Sequence, residues 1–402
     1  MLFRSGASAL AISLSNRVQR VKPSPTLAIT ALAAQLRSEG KDIIGLGAGE
    51  PDFDTPEHIK RSAIEAIENG FTKYTAVDGT PSLKQAVVDK FKRENGVDYA
   101  LNQVMVSCGG KQVFYNLCQA LLNEGDEVII PAPYWVSYPD MVMLADAIPV
   151  IVSAGIEQNF KITPEQLEAA ITPKTKLFVH NTPSNPTSVM YNESELKALG
   201  EVLKRHPEVV IASDDIYEHI LLGDTPFSNL LMANPELYER TLLLNGVSKG
   251  YSMTGWRIGY AGGPAELIGA MKKVQSQSTS NPTSIAQVAA ETALNGDQSF
   301  MGTMNEAFRK RNQFVADSLN AIEGIQVLSS EGAFYAFANV EGVIERMPNI
   351  NNDTELASLL LNDAEVAVVP GIAFGMEGYM RLSFATSMEK LEAAMERIKN
   401  AL

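Results

Sequence analysis

A lysine side chain does covalent chemistry with carbonyl groups when its amine is unprotonated, a state that burial or a neighbouring cation favours. Lys249 has such surroundings. Val247 and Ser248 precede it, Gly250 follows, and Arg257 stands eight positions further on, ahead of Ile258 and Gly259. Small neighbours leave room for a bulky planar partner, and the Arg257 fork suits a phosphate while supplying the second cation. A solitary lysine in an exposed loop would be solvated and idle. This one lies between two apolar runs of the buried-strand type. A second group begins at Val104–Ser107 and passes through Cys108, Gly109 and Gly110 into a helical pattern over 112–123. Glycines opening a helix let an anion approach free N–H groups at the positive end of the dipole. A plain strand-to-helix turn would read the same way.

Both groups need a scaffold that brings strand ends together. Short apolar runs over 104–107, 127–131, 148–152, 177–180, 209–213, 241–245 and 258–261 are rich in β-branched residues and bounded by Gly, Pro, Asn or Asp. Helical patterns over 112–123, Pro164–Ala170 and Glu193–Lys204 separate them. The alternation predicts an α/β fold: a mainly parallel, seven-stranded sheet flanked by helices, with its site at the carboxyl ends of the strands. The last ninety or so residues differ, with a helix over 302–322, strands over 332–340, 367–369 and 380–385, and a closing helix from Met388. They predict a smaller α+β domain at 301–402 beside a large domain at 46–300. The segment 1–45 is expected to pack with the small domain through a short strand at 42–46.

The run around Lys249 resembles the lysine signature of class I aminotransferases, nearest the bacterial aspartate aminotransferase branch. Gly47-Ala48-Gly49-Glu50-Pro51-Asp52-Phe53, Lys73-Tyr74-Thr75, Pro133-Tyr134-Trp135, Asn185-Pro186-Thr187, Ser213-Asp214-Asp215-Ile216-Tyr217 and Met380-Arg381-Leu382-Ser383-Phe384-Ala385 fit the same family in order, so the likeness runs from about Leu14 to Leu402. It implies fold type I and the cofactor pyridoxal 5'-phosphate, held by Lys249 as a Schiff base. Lys249 then also moves the proton between substrate Cα and the cofactor. It implies Asp214 beside the pyridine nitrogen, keeping the ring an electron sink, with Tyr217 and Asn185 at the phenolic oxygen. Trp135 would stack on the ring. Gly109, Gly110, Ser248, Arg257 and a partner subunit's copy of Tyr74 would hold the phosphate, which makes a homodimer the expected state. Arg381 and Gly49 would take the substrate α-carboxylate, and Lys111 the distal carboxylate of aspartate or glutamate, with prephenate a further dicarboxylic substrate. Singly, each residue has an ordinary alternative: a helix cap for Asp214, turn chemistry for Asn185, packing for Trp135 and Tyr74, solvation for Lys111 and Arg381. A cation at a helix start lacks stabilisation without an anion nearby, which favours a role for Lys111. The family has glycine where Ser188 stands, and some relatives place a phosphate-binding serine where Gly246 stands.

Composition sets the limits. With 45% hydrophobic and 20% charged residues the chain has the material for a real core, and a net charge of −14 opposes nucleic acid and anionic membranes as partners. Cys108 and Cys118 lack metal spacing and the four histidines are scattered, so neither a metal site nor a disulfide scaffold is expected. Residues 1–12 are too broken for a targeting peptide and read as an extension of a cytoplasmic protein. A lyase of the same fold would share Lys249, Asp214 and Arg381. A dinucleotide enzyme has in its favour only Gly47-Ala48-Gly49, which lacks the third glycine of that fingerprint.

Overall fold

A computed structural model of the chain describes residues 12–23 and 25–402; the extension expected at 1–12 falls, apart from Ile12, outside them. The strands are β1 (Ile44–Gly45), β2 (Val104–Ser107), β3 (Glu127–Ala132), β4 (Ile148–Ser153), β5 (Thr175–Asn181), β6 (Val210–Asp214), β7 (Thr241–Gly246), β8 (Gly259–Gly262), β9 (Gln326–Val327), β10 (Tyr335–Asn339), β11 (Val366–Ala367), β12 (Val369–Pro370) and β13 (Tyr379–Ser383).

Seven of them form one sheet in the order β2-β8-β7-β6-β5-β3-β4. All neighbours run parallel except β8, which is antiparallel to β2 and β7. Every residue of β2 and β7 is buried, because helices cover both faces and neither face can be polar. Side-chain alternation divides the cover. Leu177, Val179, Leu242 and Leu244 meet Val113, Phe114 and Leu117 of helix Gly110–Leu121 and Ile268 and Met271 of helix Ala265–Ser276. Phe178 and Ile211 face Leu196, Leu199 and Leu203 of helix Glu193–Lys204, whose start Asn192 caps.

The four-stranded sheet β12-β13-β10-β9 packs with helices Phe300–Asn320 and Met388–Ala401 around a second core. The end of the N-terminal segment joins the small sheet's side, β1 pairing in parallel with β11, Ile44 opposite Val366, whereas Arg17 and Arg20 of the same segment pair with Asp146, between β3 and β4 of the large sheet. Two expected strands change. The run 367–369 divides, since the chain leaves its pairing with β1 after Ala367 and joins β13 at Val369. The run 332–340 enters the ladder only at Tyr335, because Ala333 has a φ of 53° and turns the chain. The helix after the glycines begins at Gly110, and the long C-terminal helix starts at Phe300. The expected elements omit helices Pro25–Ser38, Glu57–Glu68, Pro81–Asn95, Ser137–Leu144, Ala265–Ser276, Ser284–Asn295 and Asp353–Asn362, besides shorter ones. Among the described residues no helix is long and apolar enough to cross a membrane.

Candidate active site

Where β5, β6 and β7 end, the seven-stranded sheet faces β10 and β13 across a cavity of about 370 Å³. Gly49, Gly110, Lys111, Trp135, Asn185, Asp214, Tyr217, Ser248, Lys249, Arg257 and Arg381 all line it. The topology explains the gathering: parallel neighbours β5 and β6 set Asn181 opposite Asp214 at their carboxyl ends, and β7 runs out into the Lys249 loop.

Lys249 Nζ donates to the Gly49 carbonyl and lies 5.9 Å from the centre of the Tyr217 ring. Burial brings its amine down to about 8; the charges of Arg381 and Arg257 add to the fall, while Glu50 and Asp214 oppose it. Across the cavity Asp214 is buried at 5% exposure, and burial pushes its carboxyl up to about 6. Donors restrain that rise: the Tyr138 hydroxyl bonds Oδ2 at 2.5 Å and the Ile216 N–H bonds Oδ1 at 3.3 Å. The amine and the acid are therefore both moved toward neutral pH by the same loss of water.

At one end, helix Gly110–Leu121 starts with N–H groups that no preceding turn can satisfy, beside Arg257. Gly109 enters differently from the expectation. Its N–H is engaged by the Ser107 carbonyl at 2.8 Å, and it does not line the cavity. What it contributes is absence of a side chain, since a Cβ there would stand 2.2 Å from Arg257 Nη2. Its φ of 91° also demands glycine. At the other end, Arg381 is 2% exposed, gives one nitrogen to Asn185 Oδ1 at 2.9 Å and another to the Gly47 carbonyl at 2.7 Å, and leaves Nε without a partner. Lys111 lies over Trp135, its Nζ 5.1 Å from the ring centre, and burial followed by the Arg257 charge lowers its proton affinity.

Tyr74 is not brought in: it is 92% exposed and lies outside the lining of its own chain's cavity. Ser188 holds a φ of 58°, the strained conformation that glycine would take freely. Its buried Oγ offsets that by accepting the Tyr335 N–H at 3.0 Å. At Gly246 a Cβ would approach Ile258 O to 2.9 Å and Gly259 Cα to 3.0 Å, so a serine does not fit there without a shift, whereas Ser248 lines the cavity.

Sequence reasoning missed Tyr138, Asn181, Glu50 and Tyr335, all of them in the lining. Tyr335 bonds the Tyr217 hydroxyl at 2.7 Å and stacks 4.5 Å from the Arg381 guanidinium. Two signals could have found part of this. Tyr138 follows Trp135 at a helical spacing of three, and Asn181 ends an apolar run as Asp214 does.

Known proteins match this chain over almost its whole length. A family model described as aminotransferase class I and II matches residues 41–398. An aspartate/prephenate aminotransferase of Nitrosomonas europaea is 62% identical over 396 residues, 97% of this chain and 100% of that one. One from Cereibacter sphaeroides is 56% identical over 390 residues, 96% and 98% of the two chains. Among solved structures, an aspartate aminotransferase from Rhizobium meliloti matches with a TM-score of 0.94 at 49% identity, covering 97% of this chain and 99% of that one. The Thermus thermophilus aspartate aminotransferase with maleate matches at 0.92 and 44%, covering 97% and 100%.

Proposed function

This chain belongs to the class I and II aminotransferases, and we propose that it moves an amino group between aspartate and 2-oxoglutarate, takes prephenate as well, and works with pyridoxal 5'-phosphate. The observation that carries the reading is Lys249, its amine brought to about 8 in a cavity that also holds Asp214, Arg257 and Arg381. The names of the two curated relatives support the substrates, and the maleate of the Thermus structure is a dicarboxylate, as aspartate is.

The residues fit the cofactor on this structure's own terms. An anion site of Gly110 and Arg257 lies at one end of the cavity, and an unpaired Arg381 Nε at the other. Asp214 would face the ring nitrogen, Asn185 and Tyr217 the phenolic oxygen, Trp135 the ring face, and Ser248 with Arg257 the phosphate. When bound, the cofactor supplies an aldehyde for the amino group and a cationic ring that draws electrons from Cα. Arg381 grips the α-carboxylate through the fork of its guanidinium, and Gly49 lies beside it. Lys111 meets the distal carboxylate. Lys249 Nζ takes the proton that leaves Cα and returns it, a task suited to an amine that is substantially neutral near pH 8.

Tyr74, exposed and outside its own chain's cavity, serves the cavity of a second copy, so the working form is a homodimer. The large domain spans 46–300 and the small one 301–402, joined by helix Pro25–Ser38 and β1, and the protein works in the cytoplasm. Lys249→Ala tests the core of this reading. The variant is expected to fold, to lose transamination of aspartate and to lose the visible absorbance of the loaded enzyme; full retained activity overturns the reading.

A further inference from the structure

The turn after β6 faces two ways. Asp214, Ile216 and Tyr217 line the cavity, whereas Asp215, Glu218 and His219 do not and are at least partly buried behind it. Asp214 is the last ladder residue of β6, and beyond it the main chain of the turn 215–220 is tied by the Asp215 N–H to the Leu244 carbonyl and by two bonds within the turn, Glu218 to Asp215 and Ile220 to Tyr217, each 2.9 Å.

Side chains behind the turn add a second set of ties. Lys90, on helix Pro81–Asn95, is fully buried and pairs with Glu218 Oε1, with Glu94 at 3.5 Å. Its ammonium also donates to Asn95 Oδ1 at 2.8 Å, and Asn95 Nδ2 donates to Glu218 Oε2 at 3.0 Å. From β7, Asn245 Nδ2 donates to Glu218 Oε1 at 2.6 Å. His219 Nε2 meets Glu94 Oε2 at 2.8 Å. Glu94, Glu218 and His219 have ligand atoms within 4.8 Å of one another, a spacing a metal ion could use, but the Lys90 ammonium already stands against both carboxylates. The cluster is a closed ionic network.

Its reach is what matters. A buried carboxylate that loses its cation is left with an uncompensated charge, so removing either partner alone destabilises the fold, and the paired state holds both side chains to one arrangement. The same Glu218 is tied to the helix through Lys90, and to β7 four residues before Lys249 through Asn245. We infer that Lys90, Glu218 and Asn245 are positioning residues of the active site, a clamp that holds the Asp214–Tyr217 turn in register with the Lys249 loop. The inference rests on the proposed aminotransferase reading and deepens it. None of the three side chains lines the cavity; they act through Asp214, Tyr217 and Lys249.

The test uses the full-length holoenzyme and three variants: Lys90→Met, Lys90→Met combined with Glu218→Gln, and Asn245→Ala. Wild-type transamination of aspartate is the control. If it is absent, the aminotransferase reading fails; if it is present, the variants judge the clamp. The double variant leaves no buried charge unpaired and is expected to melt near the wild type. It is nevertheless expected to show at least a fivefold lower kcat, with KM for aspartate within twofold, and a shifted visible absorbance spectrum at fixed pH. A folded double variant with wild-type kcat and spectrum overturns the clamp and leaves a purely structural ion pair. Should the charge variants fail to fold, Asn245→Ala decides, because it removes one donor to Glu218, together with the local acceptor of the Gly246 N–H, without exposing a charge. A lowered kcat with a shifted spectrum supports the clamp, and unchanged values overturn it.

Discussion

The Tyr138 hydroxyl donates to Oδ2 of Asp214 at 2.5 Å, so the acid at the end of β6 is held by a phenol from helix Ser137–Leu144, just beyond Trp135. Burial sets the balance, pushing the carboxyl from 3.8 to about 6 against the Tyr138 bond. Between those values the folded state binds more protons than the unfolded one. Stability from this group is therefore present at low pH and lost as pH rises through about 6. A shift of that size corresponds to about 3 kcal/mol. In the cofactor-free protein, Asp214→Asn is expected to raise the thermal midpoint over wild type more at pH 8 than at pH 5. Melting curves at the two pH values check it, and an equal difference at both would refute the burial argument.

Lys249 titrates in the opposite sense. Its folded amine lies at about 8 against 10.5, so the folded state binds fewer protons in that window and gains stability as pH rises through it. The rate at which cofactor-free protein takes up pyridoxal phosphate covalently should climb with pH and level off with a midpoint near 8. Stopped-flow absorbance gives that profile. A midpoint near that of a solvated lysine would mean the amine is not desolvated as described.

Lys111 bears on choice of substrate rather than on chemistry. Lys111→Met should lower kcat/KM for aspartate and prephenate about 10- to 100-fold, the loss of one charge-assisted contact, with little change for alanine. Steady-state kinetics across the three substrates decide it. An equal fall for alanine would remove the proposed contact with a distal carboxylate.

Ser188 tests how a departure from the family pattern is tolerated. Ser188→Gly relieves the cost of a φ of 58° but strips the buried Tyr335 N–H of its acceptor. Relief of about 1 kcal/mol against a loss of about 1–3 kcal/mol predicts a net destabilisation of about 1 kcal/mol. Ser188→Ala keeps the strain and loses the bond, so it should be worse than glycine. Urea denaturation of the three proteins orders them, and a glycine variant more stable than wild type would show the Oγ contact to be idle.

Much of the site was legible because each group announces itself locally. Lys249 has small neighbours and a cation at fixed spacing, Asp214 ends a buried strand, and Gly110 opens a helix after one. The alternation of apolar runs and helical patterns likewise determined the layered architecture, since a strand covered on both faces has to be apolar throughout. Element ends were less legible. The division of 367–369 between two sheets depends on which strands β11 and β12 meet, and nothing within the run records that.

By itself, then, the sequence determined the chemistry on offer, the succession of strands in the large sheet and the family the chain belongs to, because side-chain type and short-range periodicity are local properties. The tertiary structure alone decided the partners. Tyr138 meets Asp214 across 76 positions, Arg381 meets Asn185 across 196, and Asn95 meets Glu218 across 123. It also decided how far the Lys249 and Asp214 proton affinities move, because desolvation is set by everything packed around a group rather than by its neighbours in the chain.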